Sequence, residues 1–276
     1  MRSFFKIILI SQIFESFGFL RKVKNGIFKK ILMLFFAILA LPAAIWKAYI
    51  KFTLPYLEVM ITSRCSLNCE SCSNFIPLYG KKVDSDFQKV KKRLEILFQT
   101  AKIHELKLIG GEPFLHPELH KFVRFCLDSN KIKKLTITTN GVVFPDFKNI
   151  KCLKDNRVKV LISKYSGVNQ NRFIETLKKN GIKYNLIEFI HWQDYGGADK
   201  RGYSNEKLID TYSKCEAANC KTLYDDKIYS CPRSAHGDWL GFFKENIFIE
   251  VKSNKEFKKS IKNFYRQMRR TSASRR

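Results

Sequence analysis

Three cysteines packed into the stretch CSLNCESC, Cys65, Cys69 and Cys72, constrain this chain more than any other feature. They follow directly on Tyr56-Leu57-Glu58-Val59-Met60-Ile61-Thr62, whose alternation and β-branched content predict a strand. The thiols therefore belong to a loop leaving a strand end, where α/β folds put their chemistry. The C-x3-C-x2-C spacing suits a metal site with a vacancy. A four-iron, four-sulfur cubane wants one further ligand on each iron, so three thiolates leave one iron open. A catalytic zinc keeps an open position in the same way. Zinc is the first rival, although structural zinc motifs pair such cysteines with a second pair close downstream, and none follows here. Free thiols are the bland reading. A disulfide framework fits poorly, because no clear cleavable secretion signal is present and a chain of 276 residues does not need covalent staples.

A second motif, Gly110-Gly111-Glu112-Pro113, follows the apolar run Leu106-Lys107-Leu108-Ile109. Two glycines let a ligand approach the backbone closely, and a carboxylate beside them can hold an ammonium group. Alone, GGEP reads equally well as a strand-end turn. Some forty residues after the cysteine triplet, with a helical stretch between, it says more. The two motifs together resemble the radical S-adenosylmethionine (radical SAM) family over about Tyr56 to His236. The resemblance implies an α/β fold, a partial (β/α)6 barrel. It implies a 4Fe-4S cluster on Cys65, Cys69 and Cys72, with SAM bound at the open iron through its amino and carboxylate groups. Gly110, Gly111 and Glu112 would contact the methionine moiety, with Glu112 near the amino group. Ser163, at the end of the fourth expected strand, would contact the SAM ribose, and Asn140 ends the third; a turn or cap is the alternative for each. One electron, from a reductant such as flavodoxin or ferredoxin, cleaves SAM, and the 5′-deoxyadenosyl radical takes a hydrogen atom from the substrate. The family also often has an aromatic residue before the third cysteine, near the adenine; here it is Ser71.

The remaining pattern fits such a barrel. Asp84 to Ala101 has the helical period, Lys134 to Thr138 and Arg157 to Ser163 read as strands, Asn171 to Lys179 as a helix, and Lys183 to Ile190 as a further strand. Strand and helix alternating at this interval imply a parallel sheet. His116 and His120 are four apart; without a third ligand they read as surface histidines rather than a metal pair. Cys126, in a helical stretch, and Cys152, between elements, read as buried or idle thiols rather than ligands.

Cys215, Cys220 and Cys231 form a second group, with Leu223 to Tyr229 between the last two reading as a hairpin. The group resembles the start of the SPASM/twitch extensions of radical SAM enzymes, which carry auxiliary clusters. Those extensions add cysteines downstream, whereas none follows Cys231. The expectation is an auxiliary four-iron cluster with an open iron or a borrowed ligand; a zinc or empty thiol group is the alternative. Pro232 to Gly237 is expected to be a loop near the substrate.

A formal charge of +26 speaks of partners rather than fold, with anionic lipid, nucleic acid and acidic substrates as candidates. The run Ile31 to Trp46 is free of charge, contains Pro42 and is flanked by lysines; Phe4 to Leu20 reads as amphipathic. The run is at the short edge for a span of roughly 20 residues. Lys and Arg before it exceed those after it, so a single span would export a body that needs cytosolic SAM and electrons. An in-plane helix or a re-entrant hairpin on the inner leaflet satisfies both constraints, with a buried docking helix as the alternative. The resulting organisation is a leader (1–55), a radical SAM core (56–200), an auxiliary extension (201–251) and a basic tail (252–276), cytoplasmic and at the inner face of the membrane. The tail's bland reading is a solvated, frayed helix with its last six residues disordered; its functional reading is attraction to anionic lipid, which the apolar leader favours, with nucleic acid as the runner-up. Family range suggests a peptide or a sugar-like alcohol as substrate. An RNA-modifying radical SAM enzyme and a non-catalytic, membrane-associated metal protein are the rivals.

Overall fold

The computed structural model describes residues 52–188, 197–199, 202–215, 217, 220–243, 247–253 and 255–273; the leader segments 4–20 and 31–46 lie outside them. Met1–Lys51 and Phe52–Arg276 are separate compact units, and the second carries everything below. Its strands are β1 (Phe52–Thr62), β2 (Ala101–Gly110), β3 (Ile132–Thr139), β4 (Val158–Lys164), β5 (Tyr184–Glu188), β6 (Thr222–Tyr224), β7 (Lys227–Tyr229) and β8 (Phe248–Glu250). The helices are α1 (Phe87–Thr100), α2 (Leu119–Asp128), α3 (Phe147–Leu153), α4 (Asn171–Lys179), α5 (Asn205–Ser213), α6 (Pro232–Trp239) and α7 (Lys255–Ala273).

The strands form one sheet in the order β5-β4-β3-β2-β1-β6-β7-β8. Strands β1 to β5 are mutually parallel, each reached through a helical crossover, as parallel neighbours require. The sixth parallel strand is β6, which pairs with β1 rather than β5, so a segment read as extension completes the arc. Its hairpin with β7 turns at Asp225, φ 53°, and β8 adds an antiparallel edge.

The two faces of the sheet differ in chemistry. Leu57, Val59 and Ile61 of β1, Leu106 and Leu108 of β2, and Val160 and Ile162 of β4 are buried on one face against Leu94, Leu97, Phe122, Phe173 and Leu177 of the helices. The intervening positions carry Glu58, Met60, Lys107, Thr136, Thr138 and Ser163. Period-two alternation thus gives one oily face and one polar face.

Several expectations need correcting. Cys152 lies inside α3, whose start is capped by Asp146 accepting from Asn149 N at 2.7 Å. Pro232 to Gly237 is not a loop but most of α6, with proline at its first turn, where the missing N–H costs nothing. The basic tail is not solvated all round: Phe257, Ile261, Phe264 and Tyr265 of α7 are buried, and Tyr265 Oη donates to Tyr56 O at 2.9 Å. Among the described residues no helix is long and apolar enough to cross a membrane.

Candidate active site

The loop that carries the first three cysteines is pinned at both ends. Ser63 N donates to Val83 O at 2.8 Å and Val83 N to Ser63 Oγ at 2.7 Å. Asp84 accepts from Thr62 Oγ1 at 2.6 Å and from Arg64 Nε at 3.1 Å. Farther along, Asn74 Nδ2 donates to Gly110 O at 3.1 Å. Phe75 sits at φ 52°, a left-handed conformation that costs a side-chain-bearing residue ~1 kcal/mol. Packing holds it there: the Phe242 ring lies 5.5 Å away and the Arg233 guanidinium 4.0 Å away.

Gly110 and Gly111 serve the backbone first. A Cβ on Gly110 would lie 2.2 Å from Thr62 O, and one on Gly111 would lie 2.3 Å from Arg64 O and 2.8 Å from Cys65 Cβ. Their absence lets Gly111 N donate to Thr62 O at 2.8 Å and Glu112 N to Arg64 O at 2.7 Å. The close approach is thus made by the cysteine loop itself, and both glycines line the cavity beside it.

Glu112 lies elsewhere than expected. Its carboxylate is fully buried and is not on the cavity wall. It accepts from Phe114 N at 3.1 Å, from Thr139 Oγ1 at 2.9 Å and from Asn140 N at 2.8 Å. Burial pushes its pKa up to about 7, against the pull of those donors. With its oxygens taken, it ties the β2 turn to the end of β3 instead of facing an ammonium group. Asn140, so placed, lines the cavity and donates from Nδ2 to Ser66 Oγ at 3.0 Å, with Cys65 Sγ 3.7 Å away. Gln170, which the sequence reading passed over, joins the strand ends: Nε2 donates to Asn140 O at 2.5 Å and to Ser163 O at 2.7 Å.

Cys65, Cys69 and Cys72 are half-buried and face a cavity of about 470 Å³. Asn140 and Ser163 line it, and so do Cys215, Cys220 and Cys231. The structure brings both cysteine groups to one chamber. Burial pushes the Cys65 and Cys69 thiols up, and the neighbouring sulfurs add to the effect. Bound cations reverse that penalty, because a coordinating thiol deprotonates outright. Among the described residues no three His, Cys, Asp or Glu side chains converge on a point where one metal ion could sit. A tetrahedral zinc requires such convergence, whereas a cubane spreads its thiolates over separate irons. The donor set therefore fits a cluster better than a single ion. Thr138 Oγ1, on the same wall, is buried without a partner, an acceptor or donor left for a ligand.

The second group has its own supports. Cys231 caps α6, its Sγ accepting from Ser234 N at 3.4 Å, so the helix N-terminus favours negative charge there. Burial pushes Cys220 up to about 12. Lys221, 2 % exposed, donates to Ser230 O at 3.1 Å; burial lowers its pKa while the Cys231 and Cys220 sulfurs raise it. Cys126 and Cys152 are buried in α2 and α3, away from the cavity. His116 is not a surface residue: Nε2 lies 3.1 Å from Ser85 O and Nδ1 accepts from Glu118 N at 3.0 Å, which leaves it no role as a metal ligand. His120 has a buried Nδ1 without a partner, and neither histidine lines the cavity.

The sequence reading also missed the charged floor. Glu58 and Lys107 are cross-strand neighbours, with Nζ 3.5 Å from Oε1, and both line the cavity. Glu58 further accepts from Tyr56 Oη at 2.5 Å and from Thr222 Oγ1 at 3.3 Å. The signal was present as two charges interrupting apolar strands on the face opposite Val59 and Leu108. Tyr165 and Arg233 complete the wall; Ser71 is not part of it.

The chain matches the model of the Radical SAM superfamily over residues 59–224, more than half its length. It is 28 % identical over 194 residues to a GTP 3′,8-cyclase of Bradyrhizobium diazoefficiens, covering 68 % of this chain and 51 % of that one. It is 33 % identical to a GTP 3′,8-cyclase of Campylobacter jejuni, covering 63 % of this chain and 50 % of the relative. A 7,8-dihydro-6-hydroxymethylpterin dimethyltransferase of Methanocaldococcus jannaschii is 24 % identical, with coverages of 50 % and 28 %. The chain thus spans about half the length, or less, of these relatives. Among solved structures, anSMEcpe with bound AdoMet superposes at a TM-score of 0.53 with 16 % identity, covering 80 % of this chain and 84 % of that one. BtrN in complex with AdoMet and 2-DOIA gives 0.51 and 14 %, covering 80 % and 85 %. The shared fold, the matched family model and the cysteine-lined cavity have one reading: the chain belongs to the radical SAM superfamily, whose cofactors are a 4Fe-4S cluster and SAM.

Proposed function

We propose that this chain is a radical SAM oxidoreductase or radical-based modifying enzyme acting on a small polar substrate or a polar side chain of a peptide. The observation that carries the reading is one cavity bordered by both cysteine trios, the glycine turn and a charged floor. Cys65, Cys69 and Cys72 hold the SAM-binding cluster. When bound, the cluster and SAM supply a 5′-deoxyadenosyl radical that abstracts a hydrogen atom from substrate. The chain's own residues do the rest. The backbone of Gly110 and Gly111 borders the methionine end, with Glu112 acting from behind by fixing Asn140. Asn140 and Ser163, joined through Gln170, border the ribose. Tyr165 offers the aromatic surface that Ser71 does not.

The floor argues for the substrate class. Thr222, Glu58, Lys107 and Thr136 form one cross-strand row beneath the glycine turn. Buried charges cost several kcal/mol each unless paired. Here Glu58 is well supplied with donors, while the Lys107 ammonium has a long ion pair and the Tyr56 ring at 5.0 Å. That leaves Lys107 N–H groups for a polar ligand. The names of two structures of like fold, one with 2-DOIA and one with the Cp18Cys peptide, fit this range.

Cys215, Cys220 and Cys231 form a twitch-like extension holding an auxiliary four-iron cluster, supported by the thiol at the α6 N-terminus and the buried cation Lys221. The leader holds the enzyme at the inner face of the membrane, and a flavodoxin or ferredoxin supplies the electron. The decisive test is anaerobic: reconstitute with iron and sulfide, reduce with dithionite, add SAM and assay 5′-deoxyadenosine. Formation that disappears in Cys65→Ala supports the reading. A fully loaded cluster that cleaves no SAM under any tested substrate counts against it.

A further inference from the structure

The first cysteine loop runs into a residue that its own backbone disfavours. Phe75 holds φ 52° and ψ 24°, the left-handed region, although it is bulky and buried. Such an outlier persists only where its surroundings impose it, and it points to function rather than to fold alone. The chain from the second thiol to this residue is a run of tight turns: Cys72 N donates to Cys69 O at 3.3 Å, and Phe75 N to Cys72 O at 3.0 Å. Asn74, just before it, is the residue bonded to Gly110 O of the glycine turn. A rotation at Phe75 is therefore felt at Cys72 and at that turn.

Helix α6 imposes the conformation. The Arg233 guanidinium sits 4.0 Å from the centre of the Phe75 ring, well inside cation–π range, and its Nη2 donates to Gly197 O at 2.9 Å, a second contact that fixes its head. The chain leaving α6 supplies Phe242 and Phe243, whose rings lie edge-on to that of Phe75 at 5.5 and 6.4 Å. Gly237 makes room for them: a Cβ there would lie 2.0 Å from the Phe243 ring. The helix grips the loop again through His236, whose Nδ1 is 2.6 Å from Tyr79 Oη. Ile76, Tyr79 and Ala235 form one buried cluster, and Cys72 packs against it. Arg233 differs from these packing residues in lining the chamber beside Cys72. The helix also begins at Cys231, so one element supports both cysteine groups.

We propose that Arg233 is a positioning residue for the SAM-binding cluster: by stacking on Phe75 it keeps the end of the loop left-handed and so fixes where the Cys72 sulfur stands. The inference rests on the assignment of that cluster to Cys65, Cys69 and Cys72. Direct contact with SAM is the competing role, because Arg233 lines the same cavity. The two roles separate cleanly. Positioning works through the Phe75 ring, whereas direct contact does not need it.

The test is a double-mutant cycle on the full-length protein, reconstituted anaerobically with iron and sulfide: Arg233→Met, Phe75→Leu and the two combined. Methionine keeps the stem without the cation, and leucine keeps apolar bulk without the ring. Iron is counted, and the EPR spectrum of the dithionite-reduced cluster is recorded before and during titration with SAM. Each single variant should keep its iron, alter the spectrum before SAM is added, and bind SAM about fivefold more weakly, the worth of one cation–π contact. The combined variant should do no worse than either, because each change removes the same contact. Arg233→Lys, which keeps a cation, should fall between the wild type and Arg233→Met. If Arg233→Met fails to take up iron, Arg233→Lys against Phe75→Leu completes the cycle. A wild-type spectrum and SAM affinity in Arg233→Met would overturn the proposal. So would additive losses, about 25-fold in the combined variant, with the SAM-free spectrum unchanged, which would make Arg233 a direct ligand of SAM. A SAM-responsive signal that survives Cys72→Ala would instead overturn the cluster assignment, and the proposal with it.

Discussion

His236 sets a stability that changes with pH in a calculable way. The ring is fully buried in α6, its Nδ1 is 2.6 Å from Tyr79 Oη, and its Nε2 has no partner. Burial lowers its pKa from the ordinary 6.5 to about 3. Between those values the unfolded chain binds a proton that the native protein refuses. Stability from this group is therefore complete above pH 6.5 and falls as pH drops toward 3. The slope approaches ~1.4 kcal/mol per pH unit, which amounts to ~2 kcal/mol between pH 8 and pH 5. His236→Phe abolishes this slope. At pH 8 the variant forfeits the hydrogen bond to Tyr79, ~1 kcal/mol, less whatever is regained by removing the unpartnered Nε2. The two stability curves should accordingly cross at about pH 6 or slightly above, with the variant the more stable protein at pH 5. Urea unfolding under anaerobic conditions measures this, with Trp239, whose ring lies 4.8 Å from that of Tyr224, as a local fluorescent reporter. Glu112, pushed up to about 7, has the opposite sign and gains stability as pH falls through that value. The difference between wild type and variant cancels it. Parallel curves from pH 8 to pH 5 would refute the assignment of a buried neutral imidazole.

Other expectations are simpler. Glu112→Gln forces an amide N–H toward donors that now meet a carboxylate; it should cost ~1–3 kcal/mol of stability and weaken SAM binding through Asn140, both readable by thermal melts with and without SAM. Gly111→Ala drives a methyl into Arg64 O, so the reconstituted protein should carry markedly less iron than the wild type by chemical assay. Cys231→Ala should lower iron from about eight to about four atoms per chain while 5′-deoxyadenosine formation persists; a wild type with only four atoms removes the auxiliary cluster. Lys107→Met should leave SAM cleavage without substrate intact and raise KM for the substrate once known, because the side chain sits on the floor of the chamber.

Much of the barrel was legible because parallel strands here are apolar runs with strong punctuation. The boundaries Asn171 to Lys179 of α4 agree with the sequence reading, since Asn180-Gly181 stops the helix. Helix α3 escaped because its seven residues hold too short a period, although Asp146 marks its start. The position of β6 beside β1 could not be read, because three residues carry no long-range address. The site was legible where spacing along the chain encodes it, as in Cys65 to Cys72, and opaque where it depends on direction. Glu112 is the clearest instance. Its neighbourhood in sequence suggested a ligand contact, but the side chain points to Thr139 and Asn140, 27 and 28 residues on. Gln170 and Lys107 are ordinary residues until the fold gives them neighbours.

The pairing of β6 with β1 also has a consequence for assembly. Glu58 and Thr222 meet although they lie 164 positions apart in the chain, and the second cysteine group flanks β6 on both sides. During synthesis the first cysteine loop emerges long before the strand that walls its chamber. Such long-range pairing forms late, because loop closure must precede its reward. A nascent chain therefore holds Cys65, Cys69 and Cys72 open to solvent and oxygen until residues beyond Thr222 arrive. Iron delivered early enters an unwalled chamber, whereas iron delivered after β6 docks is sheltered as it arrives.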